Sequence, residues 1–346
     1  MAKRKTMSDA PEKGVGLYGI KPTRAASAVR FISSGSTLLD CVNGGGWPLG
    51  RMTNLIGDKS TGKTLLAIEA FANFNKQYPK GMMFYRESEA AFDQSYAKSI
   101  GMPTDRINFG KKGQQWRLVE DVYEDIKEKC AIVKDKGCKG FYVIDSMDAL
   151  TTKIDMEREF GIATYRTDKP SQLGELFRKM TGAIEEAQMG LIVISQVRAK
   201  IGVTFGDKTT RSGGAALDFY ASLINKLAHM KQLSVTRGGN KRVIAVRVRA
   251  RNTKSKVGEA FRECEFTIRF GYGINDASSC MEWLIEQKRF KDVDEGLTKE
   301  KALKLLKYLE DLDPIALSEW TEQIQSTTKL VWEQVEDTFR PKVTKY

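Results

Sequence analysis

Short saturated apolar runs and stretches of helical spacing alternate along this chain, a pattern that predicts an α/β fold. Ser34–Asp40 starts a short helix with a serine cap, and Gly44–Gly50 turns the chain into a first core strand at Met52–Ile56. Leu66, Ala70 and Phe74 then recur at helical spacing. Gly81–Tyr85 predicts a second strand, Asp93–Ile100 a helix closed by Gly101 and Pro103, and Leu118–Val133 an amphipathic helix. Phe141–Ser146 predicts a buried strand, Ser171–Gln188 a helix, and Gly190–Gln196 another buried strand. Val243–Arg251 alternates apolar with basic residues, as a half-buried strand with a cationic face does, and Phe261–Phe270 predicts one more strand. From Met281 the pattern is mostly helical, clearest at Lys301–Leu312 and Pro314–Phe339, with Trp283, Trp320 and Trp332 on apolar faces as core residues.

Two excursions interrupt this pattern, residues 151–170 and Arg198–Gly214. The first is charged, with equal numbers of acidic and basic residues, and the second is basic; both contain glycine, and both leave the carboxyl ends of core strands. They therefore open on one face of the sheet, where open parallel sheets bind ligands. Residues 1–30 are polar and basic with scattered Gly and Pro, and read as a flexible arm. The predicted organisation is a basic arm at 1–30, a core at 31–275 and a small helical module at 276–346.

With 346 residues, 41% hydrophobic and 29% charged, the chain has the composition of a folded domain with smaller additions. No apolar run approaches the roughly 18–20 residues of a membrane span, and the basic Met1–Lys5 has no apolar stretch behind it, so no membrane partner and no secretory signal are expected. Five cysteines form no C-x-x-C pair and the chain has a single histidine, which argues against a disulfide framework and a zinc site. These features predict a reduced, cytoplasmic protein. The net charge of +12 points to a polyanionic partner, and residues 231–256 hold nine Lys or Arg with no Asp or Glu.

The most specific chemistry lies in Gly57-Asp58-Lys59-Ser60-Thr61-Gly62-Lys63-Thr64, which fits G-x-x-x-x-G-K-[ST] between a strand and a helix. Glycines let the backbone close around phosphate oxygens, and successive N–H groups with the helix N-terminus face the anion. Lys63 adds a charge near the β/γ-phosphates and the Thr64 hydroxyl can hold Mg²⁺. The strand ending in Asp145 supplies a carboxylate to the same ion. Arg86-Glu87-Ser88-Glu89 stands at the carboxyl end of the second strand, so either Glu87 or Glu89 can face the γ-phosphate and orient a water.

Several further stretches resemble the RecA-type recombinase family over residues 31–275. They are Pro48-Leu49-Gly50-Arg51 before the phosphate loop, Ser88–Met102, Val143–Leu150, Val193–Ser222 and Glu265–Asn275. The resemblance implies a RecA-like ATPase core with a mostly parallel sheet flanked by helices, ATP and Mg²⁺ as cofactors, and a DNA-dependent ATPase. Such a protein would form a helical filament on single-stranded DNA and exchange strands with homologous double-stranded DNA. It further implies that Glu89 positions the attacking water, that Asp93 and Tyr96 contact adenine, and that Gln196 senses the γ-phosphate. Lys254 and Lys256 would reach a neighbouring subunit's ATP. The excursions at 155–165 and 198–213 would be the two DNA-binding loops, with Arg158, Arg166, Arg198, Lys200, Lys208, Arg211, Gly213 and Gly214 as DNA-binding positions. Loader or single-strand-binding proteins are further expected partners, in a bacterial or phage-infected cytoplasm. Residues 1–30 show no counterpart of the family's N-terminal polymerisation helix. A RecA-fold hexameric helicase and an ATP-switched DNA-coating protein are the alternative readings.

Overall fold

The computed structural model describes residues 29–89, 92–111, 116–157, 168–199, 209–210, 214–309 and 313–343. The chain opens with β1 (Phe31–Ile32), α1 (Thr37–Val42) and β2 (Trp47–Pro48), and β1 pairs with β2 in a small ribbon. Ser36 caps α1 by accepting a hydrogen bond from the Leu39 N–H. The core then alternates strand and helix. It runs through β3 (Met52–Gly57), α2 (Lys63–Gln77), β4 (Met82–Glu87), α3 (Gln94–Ser99) and β5 (Ile107–Asn108). There follow α4 (Val119–Asp135), β6 (Gly140–Asp145), α5 (Lys153–Glu157), α6 (Asp168–Ala187) and β7 (Met189–Gln196). The short strands β8 (Arg198–Ala199) and β9 (Thr209–Thr210) form an antiparallel ribbon at the base of the second excursion, before α7 (Gly214–Tyr220). A long hairpin, β10 (Leu223–Arg237) and β11 (Asn240–Ser255), leads to β12 (Glu263–Arg269) and β13 (Gly273–Asn275). The chain ends in α8 (Asp276–Glu286), α9 (Lys299–Tyr308) and α10 (Pro314–Phe339).

Nine strands form one sheet in the order β13-β12-β11-β10-β3-β7-β6-β4-β5. From β10 to β5 every pairing is parallel, and from β10 to β13 every pairing is antiparallel. The expected α/β core with a mostly parallel sheet is thus present, flanked by helices. β3, β6 and β7 are buried almost throughout, which is why their sequences read as continuous apolar runs rather than alternations. One core cluster packs α1 and α2 against the sheet and continues into α8, α9 and α10 through Leu284, Ala302, Ile324 and Val331. The other packs α4 and α6 on the opposite face. Trp283 and Trp332 meet with ring centroids 5.5 Å apart and tilted by 35°, and with Trp320 they pack partly buried against the first cluster.

The short elements β5, β8, β9, α7 and β13 were not expected, and four larger departures bear on the site and its surroundings. The first excursion contains α5, and α6 begins at Asp168, before the expected Ser171. Strand β10 was not expected at all. An extra residue, Met230, interrupts its two-residue alternation, and beyond Leu227 the strand is largely exposed, so no single face reads as apolar. Helix α8 starts at Asp276, where Asn275 caps it, rather than near Met281.

Candidate active site

The phosphate loop joins β3 to α2 at the carboxyl edge of the parallel strands. Gly62, the residue before α2, has φ +87°, and no side chain caps the helix. A Cβ there would stand 2.3 Å from Ile268 Cδ1, and one at Gly57 would stand 2.5 Å from Thr61 Oγ1. Only glycine fits these two positions as the loop is built, which accounts for their place in the motif. Asp58, Lys59 and Ser60 are exposed at the tip, while Thr61 is buried and its hydroxyl donates to Asp58 O at 2.9 Å.

Lys63 points back into its own loop, donating from Nζ to Gly57 O at 2.9 Å and to Asp58 O at 2.6 Å. Burial pushes its amine below the ordinary lysine value, opposed by Asp145, Asp58, Glu89 and Asp148 around it. The next side chain, Thr64, donates from Oγ1 to Asp145 Oδ2 at 2.7 Å, and Tyr85 donates to the same oxygen at 2.8 Å. Burial raises the Asp145 carboxyl, against the lowering effect of these hydroxyls and Lys63. A buried carboxylate beside a hydroxyl is an all-oxygen donor set suited to a hard cation such as Mg²⁺. The loop, its lysine and this pair therefore fit a nucleoside triphosphate with its metal.

Next to Asp145, at the ends of β4, β6 and β7, sits a second cluster. Glu89 Oε1 accepts hydrogen bonds from Ser146 Oγ and, at 2.8 Å, from Gln196 Nε2. Gln196 is fixed through its backbone as well, its N–H donating to Asp148 Oδ2 at 2.6 Å. Glu87 instead accepts the Glu89 N–H at 3.1 Å. The structure thus gathers Lys63, Thr64, Asp145, Glu89 and Gln196 in one place. Asp93 caps α3, accepting from Ser95 N and Tyr96 N, and the Tyr96 side chain stands exposed. Lys254 lies apart, at the end of β11, where Nζ donates to the carbonyls of Asp218 and Phe219. Lys256 Nζ lies 6.0 Å from the Phe219 ring. Arg158, Arg166, Lys200, Lys208, Arg211 and Gly213 lie outside the described residues. Of Arg198 and Gly214 only the backbone is described, as the start of β8 and of α7.

Sequence reasoning missed Tyr85, Ser146 and Asp148, which hold Asp145, Glu89 and Gln196. Each lies within or beside a motif strand, yet Tyr85 and Ser146 read as ordinary strand residues, and contact between three separate strands leaves no local spacing. It also grouped Arg86 with the site's polar residues. Arg86 in fact points the other way, fully buried, and its Nε donates to Asp125 Oδ2 at 2.8 Å.

Fold and site together define a P-loop nucleoside triphosphatase. The model of the RecA N-terminal domain matches residues 13–275. The chain is 35% identical over 259 residues to the protein RecA of Syntrophus aciditrophicus, covering 75% of this chain and 71% of that one. It is 32% identical over 266 residues to the protein RecA of Borrelia turicatae, covering 77% and 70%. To the protein RecA of Aquifex pyrophilus it is 34% identical over 270 residues, covering 76% and 72%. The chain belongs to the RecA family and is a RecA-like recombinase with an ATPase core.

Proposed function

We propose that this protein is a DNA-dependent ATPase that assembles as a helical filament on single-stranded DNA and drives pairing and strand exchange with a homologous duplex. The observation that carries this reading is the hydrogen bond between Glu89 and Gln196. Glu89 stands beside the phosphate loop, and Gln196 ends β7 directly before the β8–β9 ribbon that frames the second excursion. One side-chain contact therefore links the γ-phosphate position to a basic loop, and a change at one can alter the order of the other.

In this reading the loop from Gly57 to Thr64 holds ATP, and Thr64 and Asp145 hold Mg²⁺, which neutralises charge on the β- and γ-phosphates. Glu89 orients the attacking water, Gln196 reports the γ-phosphate, and Asp93 and Tyr96 flank the adenine. Lys254 and Lys256 serve the ATP of a neighbouring subunit, so turnover depends on assembly. The excursions contact DNA phosphates with little sequence preference and steep salt dependence. Residues 31–275 carry this activity, residues 276–346 form an appended helical module, and the protein works in the cytoplasm. Among the described residues, no helix is long and apolar enough to cross a membrane.

Electron microscopy with single-stranded DNA, Mg²⁺ and a slowly hydrolysed ATP analogue tests the assembly directly. Continuous helical filaments that need the nucleotide are expected. Closed rings would point to a helicase, and filaments indifferent to nucleotide would contradict the proposed switch.

A further inference from the structure

Where β10 leaves β3 the pairing with β11 slips by one residue. Ile224 stands opposite Lys254 and Asn225 opposite Asn252, which leaves Thr253 without a cross-strand partner. Side chains alternate between faces along a strand. Val246, Val248 and Ala250 belong to the first core, and Asn252 follows them in phase. An unbroken strand would turn Lys254 into that core too. The bulge resets the alternation, so that Lys254 emerges half-buried on the carbonyls of Asp218 and Phe219.

At the level of this bulge lie three asparagines, Asn43, Asn225 and Asn252, each 0% exposed. Asn225 and Asn252 are cross-strand neighbours, and Asn252 Nδ2 donates to Val42 O at 3.4 Å, beside Asn43 at the end of α1. Among the described residues, both polar side-chain atoms of Asn43, both of Asn225 and Oδ1 of Asn252 have no hydrogen-bond partner. Leaving a buried polar atom unsatisfied forfeits its hydration without compensation, a strong drive to acquire a partner. The amino groups among these atoms disfavour a cation and the carbonyl oxygens disfavour an anion. Water both donates and accepts, and suits the mixture.

We propose that Asn43, Asn225 and Asn252 bind ordered water as a unit that seats the Thr253 bulge, and so act as positioning residues for Lys254 and Lys256. This rests on the reading that the two lysines serve a neighbouring subunit's ATP. A misplacement of about 1 Å can cost on the order of 10²-fold in rate, so losing the seat matters even though no amide touches nucleotide.

The test compares Asn225→Leu/Asn252→Val, each single substitution, Lys254→Ala/Lys256→Ala and the combination of all four. The readouts are single-stranded-DNA-stimulated ATP turnover, affinity of the unassembled protein for a fluorescent ATP analogue, and the thermal midpoint. The asparagine variants are expected to turn over roughly 10- to 100-fold more slowly, with unchanged analogue affinity and an unchanged or higher midpoint. Combining them with the lysine pair should bring no further loss. Wild-type turnover in the asparagine variants, beside an impaired lysine pair, would overturn the seat and leave the trans reading intact. Normal turnover in the lysine pair would overturn the trans reading itself. A lowered midpoint with losses that add to those of the lysine pair would reduce the asparagines to a structural role and overturn the proposal. A high-resolution crystal structure should show water bridging the amides, and direct amide–amide bonds in its place would contradict the site.

Discussion

Replacing Glu89 by Gln is expected to slow DNA-stimulated ATP hydrolysis by about 10²- to 10⁴-fold, the usual weight of a positioned general base. The substitution keeps the side-chain shape but exchanges an acceptor-only carboxylate for an amide. Glu89 Oε1 now takes hydrogen bonds from Ser146 Oγ and Gln196 Nε2, and an amide oxygen can still accept these. What it cannot do is accept a proton from water. Binding of ATP and assembly on DNA should therefore persist, with dissociation from DNA slowed because turnover releases the tight state. The control is Glu87→Gln. Its carboxylate accepts the Glu89 N–H, a backbone-positioning role, so a loss of no more than about 10-fold is expected. A phosphate-release assay decides between them, and equal losses in the two variants would remove the distinction drawn here.

The second large effect is on stability. The Arg86 side chain has no exposure, that of Asp125 is 9% exposed, and the guanidinium lies 4.6 Å from the Trp116 ring centroid. Tyr142 donates to Asp125 Oδ2 at 2.7 Å, and Lys129 approaches Asp125 at 3.5 Å. Arg86→Ala removes one partner of a buried pair, which typically costs about 3–5 kcal/mol because the remaining charge is left in a low dielectric. Lys129 still faces Asp125, so the lower end of that range is expected. Urea unfolding of Arg86→Ala beside Arg86→Met/Asp125→Leu measures it. The double substitution should recover part of the loss, since it removes both charges of the pair while Tyr142 and Lys129 lose Asp125 as their acceptor.

Much of this site could be read from the sequence where its parts are local. The phosphate loop is legible because a Cβ at Gly57 or Gly62 would clash with Thr61 or Ile268, which demands glycine at both positions, and Asp145 follows a run that is buried on both faces. Strand β10 was illegible for the opposite reason. The extra residue Met230 breaks its alternation and its outer part is exposed, and only the Gly238-Gly239 turn, both at positive φ, signals the hairpin. Arg86 read as one of the site's polar residues because its partner Asp125 lies on α4, distant in sequence. The unpaired asparagines were similarly silent, since each is an ordinary polar residue until β10, β11 and α1 bring them together.

The measurement that most directly tests the central claim is strand exchange. Single-stranded DNA is incubated with the protein, ATP and Mg²⁺, and either a homologous or an unrelated duplex is added. The account predicts joint molecules and exchanged product with the homologous duplex alone, abolished by Lys63→Ala. DNA-stimulated ATP turnover without exchanged product, or product regardless of homology, would contradict it.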